Sequence, residues 1–325
     1  MKLHQKMILK RLEPDLARIN QALSGNLATH VNLISQVWNH IRISGGKRIR
    51  PLLFILSARM CGCREDSLPE ISTIFEYLHA ATLLHDDVVD AATIRRGHSS
   101  ANTIWGNQAV ILVGDFLLSK ALSIAVATHN IRVMEVLAQT TTFMAEGEVL
   151  QLVNTGRLDI TEAEYFDVIT RKTAKLMAAA CQIGALLGGV SHELEQAIAD
   201  FGLNLGIAFQ LVDDILDYTG DPQEMGKPVC NDLKEGKITL PFIHVLAQAS
   251  PTEQEHLRRL VKESEVTALA LELLPLLAKY GSLAYARRQA QQYTLAAQKN
   301  LAVFPDSPEK TLFLEITDYL SNRTA

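Results

Sequence analysis

Apolar residues at helical spacing run through nearly all of this 325-residue chain, and strand-like alternation is scarce. Ile71, Ile74, Phe75 and Leu78, continued by Thr82, recur at three and four, and Leu112, Phe116, Leu117, Leu122 and Ile124 repeat the pattern more loosely. The pattern predicts long helices over 28–43, 47–61, 69–90, 105–129, 132–155, 161–189 and 192–219, with shorter ones from 237 onward. Punctuation falls at Ser44-Gly45-Gly46, Cys61-Gly62, Arg96-Gly97, Gly156 and Gly220-Asp221-Pro222, with no long Gly/Ser linker among them. The expected fold is all-α, one domain over residues 1–325, built as a large bundle of about a dozen helices around a central cavity.

Two acidic sets of the same pattern interrupt this apolar text: LLHDDVVD with Asp86, Asp87 and Asp90, and FQLVDDILD with Asp213, Asp214 and Asp217. On a helix Asp86 and Asp90 share a face, as do Asp213 and Asp217, so each pair can hold a divalent ion between neighbouring oxygens. Carboxylates alone, without a nearby Cys or paired His, favour Mg²⁺ over zinc or copper. Magnesium held by few carboxylates completes its shell with water and phosphate, so two such sets imply a phosphorylated substrate. Each set also ends a predicted helix, where negative charge opposes the helix dipole. A local rule broken twice in the same way marks function. The competing reading is a solvated acidic face, but apolar flanks make unneutralised carboxylates costly there.

Composition removes other classes. A net charge of −5 gives no reason to expect nucleic acid as a partner. Cysteines at 61, 63, 181 and 230 form neither a disulfide framework nor a CxxC pair, which suits a reducing cytosol, and Cys61 and Cys63 have no evident role. The opening MKLHQKMILKRLEPD lacks the apolar core of a signal peptide. Leu176 to Val190, interrupted by Gln182, falls short of the roughly 20 residues that span a bilayer. A cytoplasmic protein is expected.

Basic residues complete the pattern. GGKRIRP places Lys47 and Arg50 three apart on the expected first turn of a helix, Arg95 and Arg96 follow the first acidic set, and Lys172, Lys227 and Lys237 fall near helix ends. Arginines suit bidentate phosphate recognition and lysines act as point charges. Taken singly, each is a surface cation; together they could hold one phosphate group directly while the aspartates hold another through metal.

The ordered set GGKRIRP, LLHDDVVD, RRG, GEVLQL, KTA, GIAFQLVDDILD and GKPVCNDLKEGKITLP resembles the trans-prenyltransferases, the polyprenyl diphosphate synthases, from residue 45 to 241. That resemblance implies an isoprenoid-synthase bundle that joins isopentenyl diphosphate to an allylic diphosphate, with about three Mg²⁺ ions neutralising carboxylates and diphosphate. It implies that Asp86 and Asp90 bind metal with Asp87 in support, and that Asp213 binds it with Asp214 and Asp217 acting through water. Lys172, Lys227 and Arg95 would hold the allylic diphosphate. Lys47, Arg50, His79 and Arg96 would hold isopentenyl diphosphate, and Thr173, Gln210 and Lys237 would lie near the reacting carbons. Asn231 departs from the family pattern, where many relatives carry a second Asp, and a tuning effect is expected. The family is usually homodimeric, and the apolar helix near 105–129 is a plausible interface; transient membrane contact would release a lipid product.

Product length is read from the residues before Asp86. Short-chain members of the family place an aromatic floor four or five positions upstream, where this chain has Thr82 and Ala81. Growth should therefore pass that level and reach Leu78 or Ile74, one helical turn matching about one isoprene unit. The expectation is a product of about C35 to C50, with octaprenyl (C40) for a quinone side chain favoured and farnesyl diphosphate as primer. The rivals are a shorter, geranylgeranyl-type synthase, a terpene cyclase or head-to-head synthase, a noncatalytic subunit of a heteromeric synthase, and a metal-dependent phosphatase.

Overall fold

Long apolar runs bounded by glycine and proline become helices in the computed structural model, which describes residues 2–43, 46–95, 97–221, 228–321 and 323. Two compact units are distinguished, one of Met1–Thr140, Leu176–Ala199 and Val303–Glu315, the other of Thr141–Lys175, Asp200–Ala302 and Ile316–Ala325.

In the first unit α1 (Lys2–Gly25), α2 (Asn32–Ile43) and α3 (Ile49–Met60) precede α4 (Leu68–Val89), the helix that ends in the first acidic set. Every residue from Pro51 to Ala58 of α3 is buried, the mark of a helix apolar on all sides and enclosed by neighbours. Phe54 of α3 meets Phe75 of α4 at a ring separation of 5.4 Å, and Trp38 meets Tyr77 edge-on at 5.0 Å. A short hairpin, β1 (Ile94–Arg95) with β2 (His98–Ser99), leads through α5 (Ala101–Trp105) to α6 (Asn107–Ala127), which packs along α4. α9 (Lys175–Gly188) lies on α3 through its glycines: a Cβ on Gly184 would stand 2.7 Å from the Phe54 carbonyl oxygen.

The second unit holds the end of α7 (Ile131–Asn154), then α8 (Glu162–Ile169), started by a capping box in which Thr161 and Glu164 satisfy each other's backbone N–H. A π turn, Thr170–Ala174, links α8 to α9. Residues from Asp200 onward of α10 (His192–Thr219) carry the second acidic set. After α11 (Asn231–Lys234) come α12 (Leu240–Gln248), α13 (Pro251–Glu263), α14 (Val266–Lys279) and α15 (Ser282–Asn300), and of α16 (Pro308–Ser321) the residues from Ile316 belong here and those up to Glu315 to the first unit. Tyr165, Leu211, Ile215 and Leu240 form one core here, and Tyr218, Phe242, Leu257 and Leu273 another.

The all-α class holds, and the helix expected over 192–219 has those bounds. Three local features depart from expectation. Residues 2–25 form a helix that the reading from 28 onward omitted, the span 161–189 is divided by the π turn, and a β-hairpin follows Asp90. The free cysteines are all buried, and burial pushes the Cys61 thiol up to about 11.

Candidate active site

α4 runs to Val89 and Asp90 caps it, its N–H donating to the Asp86 carbonyl at 2.8 Å before Ala91 turns the chain at φ 48°. Three aspartates thus fall on the last turn in unequal surroundings. Asp87 is buried, while Asp86 is partly exposed and Asp90 exposed. Arg95, brought back by the hairpin, donates its Nε–H to Asp87 Oδ1 at 2.5 Å. Burial raises the Asp87 carboxyl above its ordinary range and the Arg95 charge opposes that rise. A small pocket beside the pair is lined by His40, Leu84, Asp87, Arg95 and Ser100. The buried Asp87 carboxylate thus fixes the position of the Arg95 guanidinium.

GGKRIRP divides its charges. Arg48 turns inward in the left-handed region, φ 50°, and pairs with Glu76; both side chains are buried. This inward turn starts α3 only at Ile49, so Lys47 precedes the helix and Arg50 alone lies in its first turn. The expected placement of both on one turn is corrected by that Arg48 contact, a pairing the sequence reading did not assign. His79 lies on α4, two turns before Asp86. Arg96 and Lys227 fall outside the described residues.

In the second unit the acidic set is tied into its surroundings. Asp214 is 4% exposed and accepts the Tyr165 hydroxyl at 2.6 Å and the Gln210 amide at 2.8 Å. Burial, aided by nearby Asp232, pushes its carboxyl up to about 7 against those two hydrogen bonds. Gln210 turns its oxygen to the Thr173 hydroxyl, which donates at 2.9 Å. A chain Thr173–Gln210–Asp214–Tyr165 therefore joins three residues singled out in the sequence to one that was not. Asp217 is buried and accepts the Asp232 N–H at 3.2 Å. Asp213 is partly exposed and pairs with Arg323, whose guanidinium lies 4.4 Å from the Phe209 ring centroid.

Arg323 escaped sequence reading because it stands in the closing SNRTA, far from every motif, and no local spacing links it to Asp213. The remaining lysines have carboxylate neighbours: Lys172 Nζ donates to Glu148 at 2.6 Å and Lys237 Nζ to Glu235 at 2.9 Å. Asn231 donates to the same Glu235 at 2.7 Å.

The donors in both sets are oxygens, which suits a hard cation. Among the described residues no three His, Cys, Asp or Glu side chains form a group that could hold a metal ion. Within its own unit, each of Arg95 and Lys172 is a cation paired with a carboxylate, Asp87 and Glu148 respectively.

A family model described as polyprenyl synthetase matches residues 31–273. The chain is 40% identical over 294 residues to octaprenyl diphosphate synthase of Escherichia coli (strain K12), covering 90% of this chain and 91% of that one. Among solved structures, a decaprenyl diphosphate synthase from Rhodobacter capsulatus is 38% identical, covers 99% of each chain and superposes with a TM-score of 0.92. A polyprenyl synthase from Caulobacter crescentus CB15, complexed with calcium and isoprenyl diphosphate, is 37% identical, with 98% and 97% covered and a TM-score of 0.91.

Proposed function

The chain belongs to the polyprenyl synthetase family, and from that premise we propose that residues 1–325 act as one catalytic domain that makes octaprenyl (C40) diphosphate from farnesyl diphosphate and isopentenyl diphosphate. The enzyme is a long-chain trans-prenyltransferase; the C40 length, the primer and the use of the product as a quinone side chain are the proposed specifics. One observation carries the reading of the site: each aspartate set closes a long helix, with a phosphate-competent cation, Arg95 or Lys172, in the same unit.

Asp86, Asp90 and Asp213 would hold Mg²⁺, with Asp87, Asp214 and Asp217 supporting through water and hydrogen bonds. Bound there, magnesium supplies Lewis-acid charge to the departing diphosphate. Arg95, Lys172 and Lys227 bind the allylic diphosphate and take up charge as its C–O bond ionises. Lys47, Arg50, His79 and Arg96 hold isopentenyl diphosphate without metal, so that its double bond attacks the allylic cation. Thr173 and Gln210, already bonded to each other, present oxygen dipoles that steady that cation without quenching it, and Lys237 stands with them in this reading. The proton lost at the end passes to the released diphosphate, which needs no dedicated side-chain base.

Small, buried Ala81 and the half-buried Thr82 support the long product, because neither forms an aromatic floor before buried Leu78. The enzyme would act as a homodimer and touch the membrane transiently to release its lipid. The calcium and isoprenyl diphosphate of the Caulobacter relative support the pairing of a hard cation with this substrate class. The test is incubation with Mg²⁺, farnesyl diphosphate and labelled isopentenyl diphosphate, followed by dephosphorylation and sizing of the alcohols by reverse-phase chromatography. A dominant C40 alcohol is expected. A product of C20 or shorter would overturn the chain-length reading, and no incorporation would favour a noncatalytic subunit.

A further inference from the structure

Lys172 and Thr173 stand on the π turn Thr170–Ala174, and two glycines press on that turn from different helices of the same unit. A Cβ on Gly147 of α7 would lie 2.7 Å from the Lys172 backbone nitrogen and 2.9 Å from Arg171 Cβ. One on Gly206 of α10 would lie 2.5 Å from Ala174 Cα and 2.9 Å from Ala174 Cβ. Both distances are shorter than any real Cβ contact, and the nearest atom in each case is main chain, which cannot swing aside. Glycine is otherwise a poor choice in a helix interior, so its presence at both places calls for a cause beyond helix formation.

The cause lies in what a π turn does. Its extra residue widens the helix and shifts the direction of the side chains around it. Arg171 lies over the Phe143 ring at 5.5 Å and Lys175 over the same ring at 4.7 Å, whereas Lys172 reaches Glu148 of α7 and Thr173 reaches Gln210 of α10. The two residues assigned to substrate thus point toward the helices that carry the two glycines.

We propose that Gly147 and Gly206 are positioning residues for the prenyl-transfer reaction: they seat the π turn and thereby fix where the Lys172 ammonium and the Thr173 hydroxyl stand. The inference rests on the reading of Lys172 and Thr173 as substrate-facing groups. An added methyl at either glycine forces the main chain of the turn to shift by several tenths of an ångström, the scale on which catalytic geometry is lost.

The experiment compares Gly147→Ala and Gly206→Ala with Gly184→Ala, a substitution just as crowded, against Phe54 O at 2.7 Å and Ala58 N at 2.8 Å, in the other unit. The expected result for the first two is a fall in kcat of about 10- to 100-fold, the scale of a sub-ångström to ångström misplacement. KM for isopentenyl diphosphate should stay unchanged, while Gly184→Ala lowers the melting temperature and leaves kcat near that of the parent. Equal loss of kcat in all three at matched melting temperatures would overturn the proposal. So would failure of both Gly147→Ala and Gly206→Ala to fold while Gly184→Ala folds, because the glycines would then serve stability rather than aim. Lys172→Ala, run alongside, separates the premise from the inference: parental kinetics in that variant would remove the reading of Lys172 itself.

Discussion

Gln210 joins the second acidic set to the π turn, since its amide accepts from the Thr173 hydroxyl and donates to the buried Asp214 carboxylate. Gln210→Leu keeps the volume and removes both bonds. Asp214 keeps the Tyr165 hydroxyl, so the loss falls on the Thr173 hydroxyl and on one bond of Asp214, and a buried polar group left without a partner costs about 1–3 kcal/mol. The variant should therefore show a lower urea midpoint together with a fall in kcat larger than any change in KM for isopentenyl diphosphate. An unchanged kcat would detach the Thr173–Gln210 pair from the chemistry. His244 gives a separate prediction at the same scale, far in sequence from the acidic sets. It stacks on Tyr285 at 4.3 Å, its Nδ1 lies 2.9 Å from Ser282 Oγ, and burial lowers its pKa below 6.5, with Arg288 adding to the fall and Glu162 opposing it. Because the folded value is the lower one, the unfolded chain binds more protons in the window just below pH 6.5. This share of stability is present above that pH and lost as acid drives the ring toward its folded pKa. In His244→Phe, which keeps a ring on Tyr285, urea midpoints measured across this window should fall less steeply than in the parent.

At the scale of elements, what the sequence disclosed and what it hid divide along a physical line. Helix α10 and the end of α4 were legible because apolar spacing and the DDxxD pattern are local, and local pattern fixes both the helix and the face its aspartates share. The π turn was not legible, since TRKTA has no spacing of its own that distinguishes it from α-helix; its shape depends on helices that approach through Gly147 and Gly206. Arg48 was passed over for a related reason, because only the folded chain brings Glu76 to it. Arg323 is the longest-range case, and it yields a prediction. Its guanidinium pairs with Asp213, the carboxylate assigned to metal, so cation and arginine compete for the same oxygens. Arg323→Ala should bind Mg²⁺ a few-fold more tightly in calorimetry without substrate, a modest gain because Asp213 is partly exposed to solvent. Equal affinity in both proteins would show that the pair does not gate the metal. The upstream face of α4 supports a further test: Ala81 is buried one turn from Leu78, and Ala81→Tyr places a ring at the level of the missing floor. One turn is about 5.4 Å, close to one isoprene unit, so the variant should stop at a shorter alcohol on reverse-phase chromatography. Unchanged product length would sink the reading of Ala81 as the position of a missing floor.

For the molecule as a whole, the exposed apolar face of α6 calls for a cover. Val110, Val113, Leu117, Ala121 and Ala125 face the core, while Ile111, Leu112 and Val126 are exposed, Leu112 at 67%. By length and composition this helix could cross a membrane, and only 33% of its apolar window is buried. At 21 residues it is longer than Leu176 to Val190, the stretch weighed as a span from the sequence. Two observations weigh against lipid as the cover. One face is already committed to α4, where Gly114 leaves room for the His85 ring, and Asp115 lies mid-helix with its side chain 58% exposed. A charge at the bilayer centre costs about 2.5–3.5 kcal/mol even on the most lenient scale. A second copy of the chain meets the requirement better: burying a large aliphatic side chain stabilises by about 1.5–3 kcal/mol, and a two-fold axis doubles every contact. The same symmetry doubles any fault. Leu112→Asp would set like charges within one interface, so light scattering without detergent should find a dimer for the parent and a monomer for the variant. A variant that remains dimeric would move the interface elsewhere, and a parent that needs detergent to stay dispersed would return α6 to the membrane.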